Sequence, residues 1–316
     1  MKSLINDLLH TLPYPEVRPE GLYEPIEYVL AMGGKRLRPV LLLLAYRLYR
    51  DDIARATAAA VAIETYHNHT LLHDDLMDHA DMRRGMPTVH CKWDANTAVL
   101  SGDAMLIMAF RKLSEVACSR RAAVMETFAA TAQQICEGQQ YDVNFERRSD
   151  VTEAEYIEMI RLKTAVLLGC AVKIGALIAD ASAADCDTLY RFAERIGLAF
   201  QFQDDYLDTY GDPATFGKKI GGDILCGKKT YLVVATMQRS TPEEQATLMA
   251  LLADTTLPAA EKISRVRALY DAKGIPEVCR TAIAQYYDAA KAILADLSVD
   301  ATPLWAYAES LLGRAQ

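Results

Sequence analysis

Apolar residues recur at helical spacing along most of this chain, and no alternating strand pattern of any length interrupts them. The run from Ala54 to Asp78 is the strongest example, since it is rich in alanine and other good helix formers. A capping box at Thr152 and Glu155 predicts another helix start, continuing to about Ala179. The sequence therefore predicts one all-α domain, residues 1–316, with about a dozen helices packed as a bundle.

Overall charge limits the partners that this protein can bind. Lys and Arg total 34 against 42 Asp and Glu, which gives a net charge of −8. A protein without a basic excess has little to neutralise the phosphates of a nucleic acid, so we expect no nucleic-acid partner. No apolar run reaches the roughly 18 residues needed to span a bilayer, so we also expect no transmembrane segment.

Cysteine usage and the first residues predict the compartment. The seven cysteines form no CxxC pair, and their odd number argues against a disulfide framework or a zinc site. Met1 to Asp7 lacks the apolar core of a signal peptide. We therefore expect a cytoplasmic protein with reduced thiols.

Two clusters of three aspartates, with the same internal spacing, each end an apolar helical run. They are Asp74, Asp75 and Asp78, and Asp204, Asp205 and Asp208. Residues four apart share a helix face, so each cluster gathers like charges that repel unless a cation lies among them. One such cluster alone is usually a solvated acidic face. Two copies favour two facing carboxylate walls that bind Mg²⁺, an ion that prefers oxygen ligands.

Basic residues lie beside glycines, aspartates or apolar residues at four places in this acidic chain. They are Lys35 and Arg38 within Gly33–Pro39, Arg83 and Arg84, Lys163 next to Thr164, and Lys218 and Lys228 within Gly217–Thr230. Each group alone has a plain alternative: a basic helix start, a salt-bridged loop, a snorkelling lysine or a solvated loop. Combined with the aspartates, they indicate a diphosphate that Mg²⁺ bridges and that cations stabilise as it departs. Because no activated nucleophile is evident, ionisation to a carbocation is the favoured chemistry.

These motifs resemble the trans-isoprenyl diphosphate synthases of the polyprenyl synthetase family. The matching stretches are GGKRLRP at 33–39, HDDLMD and RRG within 73–85, Lys163-Thr164, FQFQDDYLD at 200–208 and the GK…GGD…GKKT loop at 217–230. The resemblance implies a helical bundle around a central cavity, a Mg²⁺-dependent prenyltransferase and a homodimer. Such an enzyme joins isopentenyl diphosphate head to tail (1'-4) to an allylic diphosphate (dimethylallyl, geranyl or farnesyl) and releases diphosphate. The released diphosphate is implied to take the proton that is lost.

The resemblance also implies roles for individual residues. Both aspartate clusters would bind metal, about three Mg²⁺ ions with substrate present, and Mn²⁺ could substitute. The allylic substrate would be held by Arg83, Lys163, Thr164, Gln201, Lys218 and Lys228, with Phe200 near the reacting carbons. Isopentenyl diphosphate would be held by Lys35, Arg38, His67 and Arg84. The residues implied to carry catalysis are Asp74, Asp75, Asp78, Arg83, Lys163, Asp204 and Lys218.

The length of the product is implied by residues that precede the first aspartate cluster. His69 and Thr70 occupy positions where family members limit chain growth, and Tyr66 lies roughly one helical turn, about 5.4 Å, deeper. A blocking His69 would give a C15 product and a blocking Tyr66 a C20 product. Met105 and Met108 could form the floor instead. We expect a product of C15–C20.

Several other functions are compatible with parts of this pattern. A longer-chain polyprenyl diphosphate synthase would use the same chemistry with a deeper cavity. A terpene cyclase shares the fold, but it would not need the second aspartate cluster or the GGKRLRP stretch. An inactive regulatory subunit tends to lose an aspartate cluster, whereas this chain keeps both. Mg²⁺-dependent release of diphosphate that requires both substrates separates these possibilities.

Overall fold

The structure, a computed structural model, describes residues 1–10, 12, 19–212 and 220–312. Helices dominate this part of the chain, so the all-α prediction is confirmed. The helices of the first third are α1 (Lys2–His10), α2 (Glu24–Ala31), α3 (Leu37–Arg47), α4 (Thr57–Met77), α5 (Val89–Lys92) and α6 (Ala95–Ser114). A 3₁₀ turn at Ile53–Ala56 leads into α4. Within the described ranges, no helix is both long enough and apolar enough to cross a membrane.

The remaining helices make up most of the rest of the described chain, and a π turn divides the helix predicted from Thr152 to about Ala179. They are α7 (Arg121–Glu146), α8 (Glu153–Ile160), α9 (Val166–Ile178), α10 (Ala183–Tyr210), α11 (Gly222–Leu225), α12 (Tyr231–Gln238), α13 (Pro242–Ala253), α14 (Ala259–Ala272), α15 (Ile275–Leu294) and α16 (Thr302–Leu312). The predicted capping box is confirmed, because the Thr152 hydroxyl accepts from the Glu155 N–H and Glu155 accepts in return from the Thr152 N–H. The reciprocal bonds satisfy two helix-start N–H groups.

A short β-hairpin follows α4. Strand β1 (Met82–Arg83) pairs antiparallel with β2 (Met86–Pro87). The two turn residues, Arg84 and Gly85, have φ angles of 52° and 78°, as a tight two-residue hairpin turn requires. The sequence pattern predicts no strand, so it missed this hairpin.

The chain divides into two compact units. The first comprises Met1–Ala129 and Cys170–Asp187, and the second comprises Ala130–Gly169 and Thr188–Gln316. In the first unit, the buried residues of α4 pack beside those of α3 and α6, and a Cβ built at Gly175 would lie 2.2 Å from the Leu42 carbonyl oxygen. The second unit has an aromatic core in which Phe202 packs edge-on against Tyr231, with ring centroids 4.5 Å apart. The single-domain organisation stays a prediction.

A π-helical turn at Arg161–Ala165 joins α8 to α9. It is closely packed on both sides by glycines. A Cβ at Gly138 of α7 would lie 2.3 Å from the Lys163 backbone nitrogen, and one at Gly197 of α10 would lie 2.7 Å from Ala165 Cα. Only glycine permits approaches this close. The two glycines therefore make room for a bulged turn, and π turns of this kind frequently occur at functional sites.

Candidate active site

The first aspartate cluster lies at the C-terminal end of α4. Asp75 is buried, Asp74 is half-buried and Asp78 is exposed. Arg83 of the hairpin grips Asp75, with Nε 2.7 and 2.8 Å from the two carboxylate oxygens, and its Nη2 lies 3.7 Å from Asp74. Burial raises the pKa of Asp75, while the hydrogen bond and charge of Arg83 oppose that shift. The hairpin thus fixes one predicted substrate-binding arginine directly over the cluster.

The charge balance of this cluster favours a bound cation. Arg83 faces the charges of Asp74, Asp75 and Asp78 together, and the C-terminal end of a helix adds a partial negative charge. Three carboxylates beside a helix C-terminus together attract cations. No group of three carboxylate, imidazole or thiol side chains among the described residues forms a ready-made metal cage. Mg²⁺ usually binds through one or two carboxylates plus substrate phosphates, so the open arrangement suits it.

A cationic cluster lies elsewhere in the same unit, around the glycines of the GGKRLRP stretch. Arg38 Nη1 lies 3.1 Å from His67 Nε2, and Arg84 Nη1 donates to the Gly33 carbonyl. Lys35 is exposed. Burial lowers the pKa of Arg38 to about 10, and the nearby Arg84 charge adds to that effect. The Nε of Arg38 is buried without a hydrogen-bond partner, which is costly unless an anion or water joins it. Lys35, Arg38, His67 and Arg84 therefore form a region suited to an anion.

His67 is neutral within this cluster. Burial, followed by the charges of Arg38 and Arg84, holds the pKa of His67 well below its usual value. An arginine can only donate hydrogen bonds, so His67 Nε2 must accept from Arg38 and Nδ1 carries the proton. His67 can thus orient Arg38 and offer one neutral N–H, but it adds no positive charge.

The second aspartate cluster occupies the last turns of α10 in the second unit. Its three aspartates differ in burial and in their hydrogen bonds. Asp204 is half-buried. Asp205 is 3% exposed and accepts from the Tyr156 hydroxyl, the Tyr231 N–H at 3.0 Å and Gln201 Nε2 at 3.0 Å. Burial, reinforced by the charge of Asp223, raises the pKa of Asp205 to about 7. Both oxygens of Asp205 are therefore engaged by protein donors, and any metal contact by this residue competes with them.

Asp208 fixes the segment that follows the second cluster. Its carboxylate accepts from the Asp223 N–H at 3.0 Å, and its carbonyl accepts from the Gly221 N–H. The predicted substrate ligand Lys228 lies in this segment and is exposed, and its charge acts on Asp205. Lys218, the other lysine predicted there, lies outside the described residues.

Two further lysines anchor the same segment rather than facing solvent. Lys229 Nζ donates to the carbonyls of Phe145, Glu146 and Arg148 at the end of α7. Lys262, which is 3% exposed, donates to the carbonyls of Leu225, Leu252 and Asp254. Cations favour helix C-termini because unsatisfied carbonyls cluster there. The sequence interpretation of the GKKT lysines as phosphate ligands therefore does not extend to Lys229.

The π turn presents two other predicted ligands of the allylic substrate. Lys163 Nζ lies 2.5 Å from an Asp142 oxygen, and both side chains are half-buried. The Thr164 hydroxyl donates to Gln201 Oε1 at 3.4 Å, and Gln201 bonds Asp205 in turn. Phe200 also lies on α10 and is half-buried. Thr164, Gln201 and Asp205 are thus brought together.

Comparison with known proteins identifies the family. The model of the family described as polyprenyl synthetase matches residues 19–271. The chain belongs to the polyprenyl synthetase family. It is 43% identical over 227 residues to geranylgeranyl diphosphate synthase from Methanosarcina mazei, covering 71% of this chain and 70% of that one. It is 40% identical over 238 residues to geranylfarnesyl diphosphate synthase from Natronomonas pharaonis, covering 70% of each.

Solved structures agree with this assignment. The crystal structure of geranylgeranyl pyrophosphate synthase from Corynebacterium glutamicum, complexed with isoprenyl diphosphate and magnesium, is 25% identical to this chain, with a TM-score of 0.88 and coverage of 99% of this chain and 98% of that one. The predicted family, fold class and prenyltransferase chemistry are confirmed. As a polyprenyl synthetase, the chain condenses isopentenyl diphosphate with an allylic diphosphate.

Ring contacts within the first unit line the region predicted to set product length in this polyprenyl synthetase. Centroids of His73 and His69 are 4.6 Å apart, those of His69 and Tyr66 5.4 Å, and those of Tyr66 and Phe128 5.0 Å. His69 is buried, and its Nδ1 lies 2.9 Å from the Gly102 carbonyl. Burial lowers the pKa of His69 to about 4, so the ring is neutral. The edge-on and tilted ring contacts form a continuous row along one face of α4, from His73 to Tyr66, and the row ends at Phe128 of α7.

The structure also places the other residues that the sequence predicts to set product length. Thr70 is half-buried, and its hydroxyl donates to the His67 carbonyl at 2.8 Å. Met105 is fully buried and Met108 half-buried on α6. Phe128 was not predicted, because it lies far from α4 in sequence and carries no motif.

Proposed function

We propose that this polyprenyl synthetase is a cytoplasmic, homodimeric enzyme that makes a C15–C20 trans-prenyl diphosphate. The observation that carries the proposal is the presence of two different kinds of site within the first unit. Asp74, Asp75 and Asp78 form an acidic cluster at the end of α4, and the cationic cluster meets the same helix nearer its middle, where Arg38 contacts the neutral His67. A condensing enzyme must hold two diphosphates, and a cyclase holds only one.

The acidic cluster would hold Mg²⁺ on the allylic diphosphate. The ion held by these carboxylates would supply positive charge that stabilises the leaving diphosphate. In the second unit Asp204 would bind metal, and Asp205 and Asp208, which also accept hydrogen bonds from the protein, would complete that carboxylate wall. We propose about three ions with substrate present, with Mn²⁺ as a possible replacement.

The remaining side chains would bind and orient the substrates. Arg83, Lys163, Thr164, Gln201, Lys218 and Lys228 would hold the allylic diphosphate, and Lys35, Arg38, His67 and Arg84 would hold isopentenyl diphosphate. The half-buried ring of Phe200 would stabilise positive charge on the allylic carbons. No side chain is assigned as the base, and the released diphosphate would take the proton.

His69→Ala is expected to lengthen the main product by about one isoprene unit. The imidazole is buried, and its removal would open space down to Tyr66, roughly one helical turn or about 5.4 Å deeper. The measurement is chromatography of the alcohols released by phosphatase from the products. His10→Ala, on the exposed side of α1, is the control and should leave the product unchanged. Identical products from His69→Ala and wild type would move the floor to Tyr66 or to α6.

The homodimer proposal is supported by an apolar surface on α6. Leu100 and Ile107 are 59% and 58% exposed and lie two turns apart on one helix face, with Val99 42% exposed beside them. Large exposed side chains grouped in this way usually mark an interface. Ile107→Glu should therefore shift the protein from dimer to monomer in sedimentation equilibrium. Ala284→Glu, exposed on α15, should not; a wild-type monomer would contradict the proposal.

A further inference from the structure

Arg36 points into the protein although it lies between two residues assigned to isopentenyl diphosphate. It is 4% exposed, and each nitrogen of its guanidinium group has a partner. Nε donates to Asn6 at 3.0 Å, Nη1 to Glu64 at 2.6 Å and Nη2 to the Leu30 carbonyl at 2.7 Å. These partners belong to α1, α4 and α2. One buried side chain therefore joins three helices directly beneath the segment that carries Lys35 and Arg38.

The buried partner Glu64 belongs to a small polar network. It is 1% exposed, and its Oε1 also accepts from Asn68 Nδ2 at 3.2 Å. Its Oε2 and the Asn68 Oδ1 are buried without a partner. Two unpartnered acceptors in one network would suit the two hydrogens of a single buried water. Burying charged groups costs desolvation free energy. We therefore expect this network to contribute mainly by fixing the local geometry rather than by adding stability.

The backbone at Arg36 shows what this geometry is. Its φ angle is 53°, in the left-handed region that side chains other than glycine rarely adopt. Gly33 and Gly34 are also left-handed, with φ angles of 77° and 137°. Lys35 therefore lies between residues with left-handed backbone conformations. The direction of the Lys35 side chain depends on Arg36 keeping its conformation. A strained conformation persists only where surrounding contacts hold it, and the guanidinium contacts supply that hold.

The next helical turn of α4 continues the same arrangement. Glu64 and His67 are three residues apart and therefore share a helix face. Glu64 binds Arg36, and His67 contacts Arg38 at 3.1 Å. Successive turns of one helix thus hold alternate residues of the segment.

We propose that Arg36 and Glu64 are positioning residues for isopentenyl diphosphate. The buried ion pair holds residues 33–38 in the left-handed turn that directs Lys35 and Arg38 to the second diphosphate. This inference rests on the proposed function, because it requires that Lys35 and Arg38 bind that substrate. Neither Arg36 nor Glu64 touches substrate, so neither is a catalytic residue.

The test compares KM values for the two substrates in full-length variants. Glu64→Gln is expected to raise the KM for isopentenyl diphosphate about tenfold, at saturating geranyl diphosphate, since loss of the Glu64 charge weakens its bond with Arg36 and lets the turn relax. The KM for geranyl diphosphate should stay within about twofold of wild type, within the ordinary scatter of such effects. The exposed pair of Arg50 with Asp180 provides the control, and Arg50→Met should change neither KM.

The apolar double variant Arg36→Met/Glu64→Leu separates positioning from stability. Replacing a buried ion pair with apolar residues of similar volume is often neutral for stability. The double variant also removes the donors to Asn6 and the Leu30 carbonyl, so we expect its thermal unfolding to lie between those of Glu64→Gln and wild type, with the KM for isopentenyl diphosphate still raised. A double variant that unfolds like wild type and also has the wild-type KM for isopentenyl diphosphate would overturn the proposal. If Glu64→Gln does not fold, Arg36→Lys keeps the charge and loses the planar fork, and it should raise the same KM.

The KM values of these variants distinguish failure of the positioning role from failure of the proposed function. If wild type forms product and Arg38→Ala raises the KM for isopentenyl diphosphate, but Glu64→Gln and Arg36→Lys do not, the positioning role alone is wrong. If Arg38→Ala leaves that KM unchanged, the assigned diphosphate site is wrong, and the inference falls with it.

Discussion

Asp74→Ala is expected to lower turnover by about a thousandfold, the scale seen when a preorganised charge-stabilising group is removed. Asp74 is half-buried at the end of α4, and its carboxylate lies 3.7 Å from Arg83. The same change should have little effect on folding, because Arg83 keeps its closer contacts with Asp75. The measurement is initial rate at saturating substrates across a Mg²⁺ titration, together with a thermal unfolding curve.

The control for this prediction is Asp51→Ala, an exposed aspartate after α3. It should keep the wild-type rate and Mg²⁺ dependence. Asp75→Ala makes a useful contrast, because it leaves the Arg83 charge without its main partner and should lower both turnover and stability. An unchanged rate in Asp74→Ala would overturn the assignment of this cluster to metal.

Gly138→Ala is expected to disturb the π turn and the substrate contacts that the turn presents. The new Cβ would meet the Lys163 nitrogen at 2.3 Å and the Leu162 carbonyl carbon at 2.7 Å. Both are backbone atoms, which cannot rotate aside as a flexible side chain can. Overpacking of this kind costs about 1–3 kcal/mol or more, whereas alanine gains only about 1 kcal/mol in helix propensity. The cost of the clash should therefore exceed the gain in helix propensity, and Lys163 and Thr164 should be displaced.

Two measurements follow from this displacement. The free energy of unfolding should fall by about 2 kcal/mol, near the middle of the range for overpacked sites. The KM for the allylic substrate should rise, while the KM for isopentenyl diphosphate should change little, since none of its proposed ligands belongs to the π turn. Cys136→Ala introduces the same residue at an exposed site on the same helix and should have neither effect. A Gly138→Ala enzyme with wild-type stability and KM values would show that the turn tolerates the methyl group.

The helices were largely predictable because their signals are local. The capping box at Thr152 and the N-cap at Asp94, whose side chain accepts from the Thr97 N–H, depend on residues within three positions. The π turn was not predictable, because its apolar pattern is that of an ordinary helix. Its geometry depends instead on Gly138 and Gly197, which come from other helices. The hairpin did carry a local signal in Arg84-Gly85, but each strand is too short to show alternation.

Some features of the candidate site depend on residues that are close in sequence, and others depend on tertiary contacts. The aspartate clusters are visible as spacing, since the three residues of each lie on one helix or directly at its end. The sequence could not separate the inward Arg36 from its outward neighbours, because Lys35, Arg36 and Arg38 are all cations in one short stretch. It also gave no partner for Lys163, since Asp142 lies 21 residues away on another helix. Nor could it show that Asp205 would be buried and accept from Tyr156 and Gln201, while Asp204 is only half-buried.

The most direct test of the central claim is the substrate requirement for diphosphate release, combined with product analysis. The purified protein would be incubated with Mg²⁺, isopentenyl diphosphate and dimethylallyl, geranyl or farnesyl diphosphate, and each substrate would also be supplied alone. We predict that diphosphate is released only when both substrates and Mg²⁺ are present, and that the product is C15 or C20. Release from an allylic diphosphate alone, or no release with any pair, would contradict the account.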